Sequence, residues 1–540
     1  MKNILIILLL IFFSLADAKS SNKIFIKWDT NKIENKVAIE QIHRKIQAHA
    51  AFKWKSLPQW QIVELPPTFP IDQAINYYRK RPGVLVVEKN QKIELIKPDD
   101  SFSKNSIKYA KEDSLFNQQW ALKNEGQNDG LPGADVKAIE AWNVAKNNKE
   151  IIVAVIDTGI DYLHPEFKDQ MWHNPGEIAD NGIDDDGNGY IDDVIGYNFY
   201  DKTNDPMDDH MHGTHCSGVI AASHNKIGIK GIAPHAKLMA VKYLGPWGNG
   251  DLETALLAIQ YAIDNGAHIL SNSWGGPIFS DALKDMVAAT EKAGILFIAA
   301  AGNGHSNNDN EPTFPANYDF QNVISVAAND NQDTLARFSN WGRSKVHLSA
   351  PGKDIISTIP GGQYRTASGT SMATPLVAGA AAVLWANEPE LSYQEVKERL
   401  IKTVDRTHLI QEKIFGGGRL NLYHALMNWP SHELGPDPKW IEVAHSISTP
   451  HNYPNMANLK WTLNHKGAQF IRLHFKKIET EKLMDYVGLR DFQGIMRETL
   501  TGNQGELWSV PIPGEQVEIS LRSDSVNPFF GFDIDKYAYY

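Results

Sequence analysis

Three short segments of this chain carry an acid, a base and a nucleophile, each beside a glycine. Asp157 lies in Val-Ile-Asp-Thr-Gly, His212 in His-Gly-Thr-His and Ser371 in Gly-Thr-Ser-Met. A carboxylate can orient an imidazole, and the imidazole can take the proton of a serine hydroxyl that attacks a carbonyl carbon. Each of these residues alone is commonly structural, as a turn, packing or capping residue. Together they favour acyl-transfer chemistry.

Each of the three motifs meets an apolar segment that can hold it in place. Asp157 ends a continuous apolar run, 151–156, which is typical of a strand covered on both faces of a parallel sheet. His212 stands at the expected start of a short helix. Ser371 lies in a glycine-rich turn before 374–387, a helix that is apolar on all sides and therefore expected to be central. The start of that helix favours negative charge on a substrate oxygen.

Residues 114–428 alternate between two apolar patterns. Continuous apolar runs that predict buried strands lie at 238–243, 267–271, 295–301 and 323–328. Helical patterns separate them, at 282–293 and at 252–265, where Asp251 can cap the helix. Such alternation implies right-handed crossovers and helices on both faces of a mostly parallel sheet. The expected fold class is therefore a three-layer α/β sandwich.

The order of the acid, base and nucleophile along the chain is distinctive. Asp before His before Ser is the order of subtilisin, and it differs from the orders of chymotrypsin and the α/β-hydrolases. On these motifs, residues from about 115 to 428 resemble the subtilisin-like serine proteases, or subtilases. The resemblance implies that Asp157 orients His212, that His212 is the general base and that Ser371 is the nucleophile. It implies a packing role for His215.

A fourth motif resembles the oxyanion hole of the same family. Ala-Ala-Gly-Asn follows an apolar run and ends at Asn303. By the resemblance, the Asn303 amide and the Ser371 N–H would bind the oxyanion of the tetrahedral intermediate. Loss of such a donor lowers turnover by about 10²–10³.

Two glycine-containing segments resemble the edges that hold the substrate main chain in subtilases. One contains Ser273, Trp274 and Gly275, and the facing strand is expected at 245–250, starting at Gly245. Trp274 is bulkier than the residue frequent at its position in the family. The sequence therefore predicts a reshaped substrate pocket.

The first 113 residues read as export and maturation segments. Residues 1–18 combine a lysine, an apolar stretch and Ala-Asp-Ala, which predicts a signal peptide and a secreted or periplasmic protein. Residues 19–98 resemble the ferredoxin-like inhibitory propeptide of subtilases. Residues 99–113 are charged and aperiodic, and are the predicted linker and maturation region.

Composition limits the remaining possibilities. The 540 residues predict several domains, and a formal net charge of −11 without a basic run argues against a nucleic-acid partner. No segment after the signal peptide has the length of a membrane span. The single cysteine, Cys216, excludes an intrachain disulfide. An exported chain without disulfides needs a large core, bound metal ions, or both.

An acidic stretch at 184–193 predicts a calcium site. Five carboxylates within ten residues repel each other unless a cation is present. Their spacing resembles an EF-hand loop without its final glutamate, for which Asp193 could substitute. The alternative is a solvated acidic turn. The predicted ligands are Asp184, Asp186, Asn188, Tyr190 through its carbonyl, and Asp192.

A second calcium site rests on the resemblance alone. Glu166 and Asn225 stand where many subtilases bind a structural calcium with loop carbonyls.

Residues 429–540 change to strand-like runs separated by turns, which predicts an all-β sandwich. They resemble a CUB domain, although without its usual cysteines. In calcium-binding CUB domains an acidic trio bridges two loops, and Glu479, Asp485 and Asp524 would match it; plain surface carboxylates are the alternative. This domain would bind a protein or glycan, or only stabilise the enzyme.

The sequence thus predicts a secreted serine endopeptidase, stabilised by calcium and made as a zymogen inhibited by its own propeptide. Its substrates would be proteins or peptides. A processing protease with few substrates would differ only in its pocket. The rival hypothesis is a degenerate protease domain in an extracellular binding or adhesion protein that works through its C-terminal sandwich.

Overall fold

The structure is a computed structural model of the chain. The expected signal peptide and most of the expected maturation region lie outside the described residues. Those residues are 22–31, 36–52, 54–96, 107–108, 115–407, 409–431, 440–482 and 484–540.

The first described part is a small α/β module with an antiparallel sheet in the order β2-β3-β1-β4. Ile24 and Ile26 of β1 pack in the module's own core, whereas Phe25 packs against the large domain, because successive strand residues face opposite sides. Two further strands follow the module. The elements are β1 (Lys23–Trp28), α1 (Lys36–Arg44), β2 (His49–Phe52), β3 (Trp60–Glu64), α2 (Ile71–Arg79), β4 (Val84–Lys89), β5 (Lys92–Glu94) and β6 (Ile107–Lys108).

The large domain is built on a nine-stranded sheet in the order β17-β18-β14-β13-β12-β11-β7-β9-β8. All its pairings are parallel except that of β17 with β18. The strands of this domain are β7 (Ile152–Asp157), β8 (Gly196–Asn198), β9 (Lys237–Lys242), β10 (Asn249–Asp251), β11 (Ile269–Asn272), β12 (Leu296–Ala300), β13 (Val323–Asn329), β14 (Leu348–Pro351), β15 (Ile355–Ile359), β16 (Gln363–Ala367), β17 (Asp405–Arg406) and β18 (Gly418–Arg419).

Helices cover both faces of this sheet. The helices α4 and α7 pack together on one face, and α5 and α6 pack on the other. Asp251 caps α5 by accepting a hydrogen bond from the Thr254 N–H at 2.9 Å, as the sequence predicts. The helices are α3 (Ala138–Trp142), α4 (His212–Ala221), α5 (Leu252–Asp264), α6 (Asp281–Lys292), α7 (Thr370–Asn387), α8 (Tyr393–Lys402) and α9 (Leu422–Met427).

The predicted fold class is confirmed. The central strands and helices lie within a residue or two of their predicted positions, with one exception. The buried helix α7 begins at Thr370, four residues before the predicted start, so Ser371 lies in its first turn.

The C-terminal part is a sandwich of two antiparallel sheets, β19-β27-β21-β24 and β20-β26-β22-β23, and β25 also pairs with β21. Apolar residues between the sheets form one core, with Phe475, Val487 and Phe532 fully buried. The strands are β19 (Ile441–Ser448), β20 (Asn458–Asn464), β21 (Phe470–Glu479), β22 (Tyr486–Arg490), β23 (Met496–Leu500), β24 (Leu507–Trp508), β25 (Ile512–Pro513), β26 (Gln516–Arg522) and β27 (Gly531–Tyr539).

Candidate active site

The acid and the base meet where β7 ends and α4 begins. His212 Nδ1 lies 2.8 Å from Asp157 Oδ1 and 3.0 Å from Oδ2, and both side chains are buried. Gly213 allows this approach, because a Cβ at that position would lie 2.1 Å from the Gly159 carbonyl oxygen. The strand end and the helix start therefore hold the carboxylate and the imidazole together.

The two histidines of this motif have opposite electrostatic environments. Burial lowers the pKa of His212, but the Asp157 charge outweighs it and raises that pKa well above its ordinary value. Burial lowers the pKa of His215 to about 3, and its Nε2 faces the carbonyls of Ile355 and Arg365, each at 3.1 Å. Only the first histidine is built to carry a positive charge.

Ser371 lies in the first turn of α7, close to this pair. Its Oγ donates to the Ser273 carbonyl at 3.1 Å. Pro375, four residues later, has no N–H for the Ser371 carbonyl. That carbonyl instead accepts from Ser273 Oγ at 3.0 Å and from Cys216 Sγ at 3.4 Å. The proline thus frees the carbonyl that anchors this turn to its neighbours.

Cys216 links the serine and histidine regions. Its sulfur lies 3.9 Å from His212 Nδ1 as well as near the Ser371 carbonyl, and burial raises the pKa of the thiol. His212 Nε2 is buried and has no hydrogen-bond partner among the described residues. One imidazole nitrogen is therefore hydrogen-bonded to a carboxylate, and the other has no partner in the described part of the chain.

Asn303 follows β12 and reaches the start of α7. Its Oδ1 accepts from both the backbone N–H and the Oγ1 of Thr370, each at 2.9 Å. This fixes which way the amide points. Its Nδ2 lies 3.1 Å from the position that a Cβ would take on Gly369, and the Ser371 nitrogen lies 3.6 Å from that same position. Both nitrogens thus lie near the same point beside Gly369.

The substrate edges predicted from the sequence hold an extended segment of the chain itself. Strand β5 pairs antiparallel with β10, in a register that sets Glu94 opposite Asn249. Leu95 donates its N–H to the Gly248 carbonyl at 2.8 Å on one side and forms an antiparallel bridge with Trp274 on the other. An extended segment between two edges is strand addition, which recognises the main chain.

The structure refines the two predicted edges. Gly245 does not face the inserted segment: it closes a turn with the Gly248 N–H and packs against the Tyr200 ring. The facing edge is formed by Gly248 and β10. On the other edge, the Trp274 ring is buried and lies 5.1 Å from the Tyr243 ring. Gly275 is needed there because a Cβ would lie 2.6 Å from the Phe314 carbonyl oxygen.

A profile of the subtilase family matches residues 148–418, which contain all of these motifs. The chain belongs to the subtilase family. Members of this family are serine proteases, and their substrates are proteins.

Three relatives show how far the similarity extends along this subtilase. The thermophilic serine proteinase of Bacillus sp. (strain AK1) is 36% identical over 322 residues, which are 59% of this chain and 73% of that protein. Subtilisin E of Bacillus subtilis (strain 168) is 34% identical, over 59% of this chain and 75% of its own. The cell wall-associated protease of Bacillus subtilis (strain 168) is 34% identical over 64% of this chain but only 35% of its own length.

The acidic loop of this subtilase divides its carboxylates between two tasks. Asp184 and Asp186 come together with Glu177, with one oxygen of each within 4.8 Å of the others. Asp192 instead turns to the backbone N–H groups of Asn181 and Gly182, at 3.1 and 3.0 Å. The candidate ligand set is therefore Glu177, Asp184 and Asp186. Glu177 lies outside the acidic stretch, and the sequence did not single it out.

The remaining predicted ligands of this loop have structural contacts. Asn188 donates its Nδ2 to Asp186 at 3.0 Å and to Asp193 at 3.2 Å. The Tyr190 ring packs 5.4 Å from the Tyr261 ring. Burial raises the pKa of Asp193 to about 6, and its Oδ2 accepts from the Tyr261 hydroxyl at 2.6 Å. These contacts fasten the acidic loop to α5.

Glu166 and Asn225 lie on adjoining loops. Glu166 is fully buried, and its Oε1 accepts from the Ile229 N–H at 3.0 Å and from the Tyr364 hydroxyl at 2.9 Å. Asn225 Oδ1 accepts from the Ile227 N–H at 2.9 Å. Both side chains therefore hold the loop at 225–229 in place.

The sandwich also brings three carboxylates together, but not the trio that the sequence predicted. Asp485 and Asp524 meet Glu481, with one oxygen of each within 4.8 Å of the others. Glu479 is instead paired with Lys477 at 2.8 Å. Backbone irregularities in β21 shift its pairing register, so the face of each residue near its end could not be read from spacing. Glu481, two residues later, takes the predicted place.

Among the described residues, no helix combines the length and apolar character that crossing a membrane requires.

Proposed function

We propose that this subtilase is a serine endopeptidase that hydrolyses peptide bonds with Asp157, His212 and Ser371. The buried pair of His212 and Asp157 supports this most directly, with Nδ1 at 2.8 Å from the carboxylate. The other nitrogen, Nε2, has no partner among the described residues. In its neutral form, such an imidazole can accept a proton from a hydroxyl at Nε2.

In the proposed reaction Ser371 Oγ attacks the carbonyl carbon of the scissile bond while His212 Nε2 takes its proton. The serine side chain first rotates away from the Ser273 carbonyl, to which it donates in the structure. The Asn303 amide and the Ser371 N–H donate to the oxyanion. His212 then gives the proton to the leaving amine. Water attacks the acyl-enzyme by the same route and releases the acid.

A fluorophosphonate probe tests this proposal, because a nucleophilic serine displaces its fluoride and becomes labelled. We expect the mature protein to be labelled and to hydrolyse casein, and Ser371→Ala to do neither. The control is Ser525→Ala, since Ser525 is an exposed serine of the sandwich. Equal labelling of Ser371→Ala would refute the assignment. Absence of labelling and hydrolysis in the wild type would favour the degenerate binding protein.

We further propose that residues 19–98 are an inhibitory propeptide and that the enzyme is a zymogen. The occupied cleft supports this, since β5 lies between the two substrate edges. Ion pairs also hold the module to the catalytic domain, from Lys23 to Glu253 at 2.8 Å and from Lys27 to Asp285 at 2.6 Å. Cleavage within 99–113 would free the cleft once the module departs.

The occupant of the cleft also suggests the substrate preference. Leu95 and Ile96 are buried, and Ile93 packs in the same apolar cluster as Trp274. We propose that good substrates carry aliphatic side chains at the matching positions. A peptide library cleaved by the mature enzyme tests this, and a preference for charged residues there would contradict it.

We propose calcium as the structural cofactor, held by Glu177, Asp184 and Asp186. The fit rests on an all-oxygen donor set, which suits calcium. Glu481, Asp485 and Asp524 are a second candidate set of the same chemistry. Glu166 and Asn225 remain the weakest candidates, because Glu166 Oε1 and Asn225 Oδ1 already accept hydrogen bonds from protein groups.

We propose that the protein is exported, by the signal-peptide pattern at 1–18. The sandwich at 440–540 has the all-β architecture expected of a CUB-like domain. That this domain binds a protein or a glycan stays a prediction. Binding of purified proteins and glycans to the Ser371→Ala chain tests it.

A further inference from the structure

The sandwich reaches into the cleft of the catalytic domain. A cavity of about 770 Å³ lies beside Asn303, between the inserted segment, Trp274 and Phe314. Lys482 of the sandwich also lines it. The substrate pocket is thus bounded by two domains that are far apart in sequence.

Lys482 binds the segment that forms one wall of this cavity. Its Nζ donates to Ser306 Oγ at 2.8 Å and lies 3.4 Å from Glu311 Oε2. The Ser306 hydroxyl and the lysine charge lower the pKa of Glu311, which keeps the carboxylate ionised. The alkyl chain of Lys482 passes over Gly502, where a Cβ would lie 3.5 Å from the lysine Cγ.

The wall segment, 303–314, links the proposed oxyanion donor to the substrate pocket. It begins at Asn303 and ends with Thr313 and Phe314, which line the cavity. Asn340 ties its two ends: Oδ1 accepts from the Gly304 N–H at 2.8 Å, and Nδ2 donates to Thr313 Oγ1 at 3.2 Å. The middle of the segment, at Ser306 and Glu311, is held from outside by Lys482.

The position of Lys482 is fixed because the two domains are firmly docked. Lys413 of the catalytic domain pairs with Glu498 of the sandwich at 2.9 Å, with side chains only 12% and 7% exposed. The Arg337 guanidinium lies 4.6 Å from the centre of the Tyr486 ring. These contacts make the approach of Lys482 to the wall part of the fold.

We propose that Lys482 is a positioning residue for the substrate pocket, so that the sandwich helps to set which side chains the enzyme accepts. This rests on the proposed protease function. The lysine acts through Ser306 and Glu311. It holds the wall segment at the distance from Trp274 that leaves room for the inserted segment. Its own exposed ion pair contributes little to stability, so its loss should change selectivity more than the melting temperature.

The control variant is well matched. Lys460 lies in the same sandwich, pairs with Glu518 at 3.0 Å and is 50% exposed, against 49% for Lys482. It does not line the cavity. We compare Lys482→Ala, Lys482→Arg and Lys460→Ala.

The first readout is hydrogen exchange of the full chain carrying Ser371→Ala, which needs no catalysis. We expect amides at 304–311 to exchange about tenfold faster in Lys482→Ala than in Lys460→Ala. The second readout is the kcat/KM ratio of the active enzyme for two peptides that differ only in the size of the side chain before the cleaved bond. We expect this ratio to change about fivefold in Lys482→Ala and less in Lys482→Arg, with a melting temperature close to wild type.

Unchanged exchange at 304–311, or an unchanged selectivity ratio in an active enzyme, overturns the role of Lys482. If the wild type hydrolyses nothing, the proposed protease function fails, and the exchange measurement alone still decides whether Lys482 holds the wall.

Discussion

Replacing Asn303 with aspartate separates its proposed catalytic role from its structural role. The carbonyl oxygen of Asn303 accepts two hydrogen bonds from Thr370, each at 2.9 Å, and an aspartate can accept both. What is lost is the amide nitrogen, which lies 3.1 Å from the Cβ position of Gly369, beside the Ser371 nitrogen. The substitution therefore removes one proposed donor to the oxyanion and keeps both hydrogen bonds from Thr370.

We expect kcat of Asn303→Asp to fall by at least about 10²–10³, which is about 2.7–4 kcal/mol of transition-state stabilisation. The new negative charge adds to this loss. KM should change little, because the lost interaction is made only in the transition state. Steady-state kinetics on a peptide substrate measures both constants, and thermal unfolding of the same variant checks its stability.

Asn303→Ala is the companion variant. It also removes the oxygen that accepts both hydrogen bonds from Thr370, so it should lower stability by about 1–2 kcal/mol in addition to lowering kcat. If Asn303→Asp kept kcat within threefold of wild type, the amide would not bind the oxyanion and the site would need another donor. A loss confined to KM would be equally damaging to the reasoning.

Three further predictions follow from other parts of the structure. Burial raises the pKa of the Glu88 carboxyl, which caps α6, from 4.5 to about 7. The docked module is therefore most stable at low pH, and its free energy of unfolding falls by up to about 3 kcal/mol as pH rises through 7. The melting temperature of the Ser371→Ala chain should fall between pH 5 and 8, and Glu88→Gln should make that fall smaller. Removing calcium with a chelator should lower the melting temperature of the wild type by several degrees, and less in Glu177→Gln, as calorimetry can measure. Lys413→Met leaves the buried Glu498 without its ion-pair partner and should cost about 3 kcal/mol or more, seen as an earlier unfolding of the sandwich in a denaturant titration.

Much of the catalytic domain could be predicted because its elements carry their own signals. A strand covered on both faces must be apolar throughout, which is why β7 and β13 could be located from runs of Val, Ile and Ala. The start of α7 was misplaced because Pro375 lies inside the helix, five residues after its start, and not at its first turn. Hydrogen bonds from Ser273 and Cys216 to the Ser371 carbonyl replace the one that Pro375 cannot donate.

The parts of the candidate sites that the sequence missed depend on contacts between distant segments. Glu177 joins Asp184 because the chain folds back at the intervening turn, which spacing alone does not reveal. Gly248, not Gly245, receives the inserted segment because the loop between them closes a tight turn. Lys482 could not be found at all, since its contact with Ser306 spans 176 positions and exists only after two domains dock.

The N-terminal module has a sheet with two different partners. One face, with Ile24 and Ile26, packs on its own helices, whereas Phe25, Trp54 and Trp60 are buried against the catalytic domain. If the module is released as the proposed propeptide, this aromatic face meets water, and a unit of this size is only marginally stable on its own. A module that unfolded on release would then be easily digested by the proposed protease. Activation would then be irreversible. The moment at which the module first leaves the catalytic domain, more than the moment of cleavage, would determine when the enzyme becomes active.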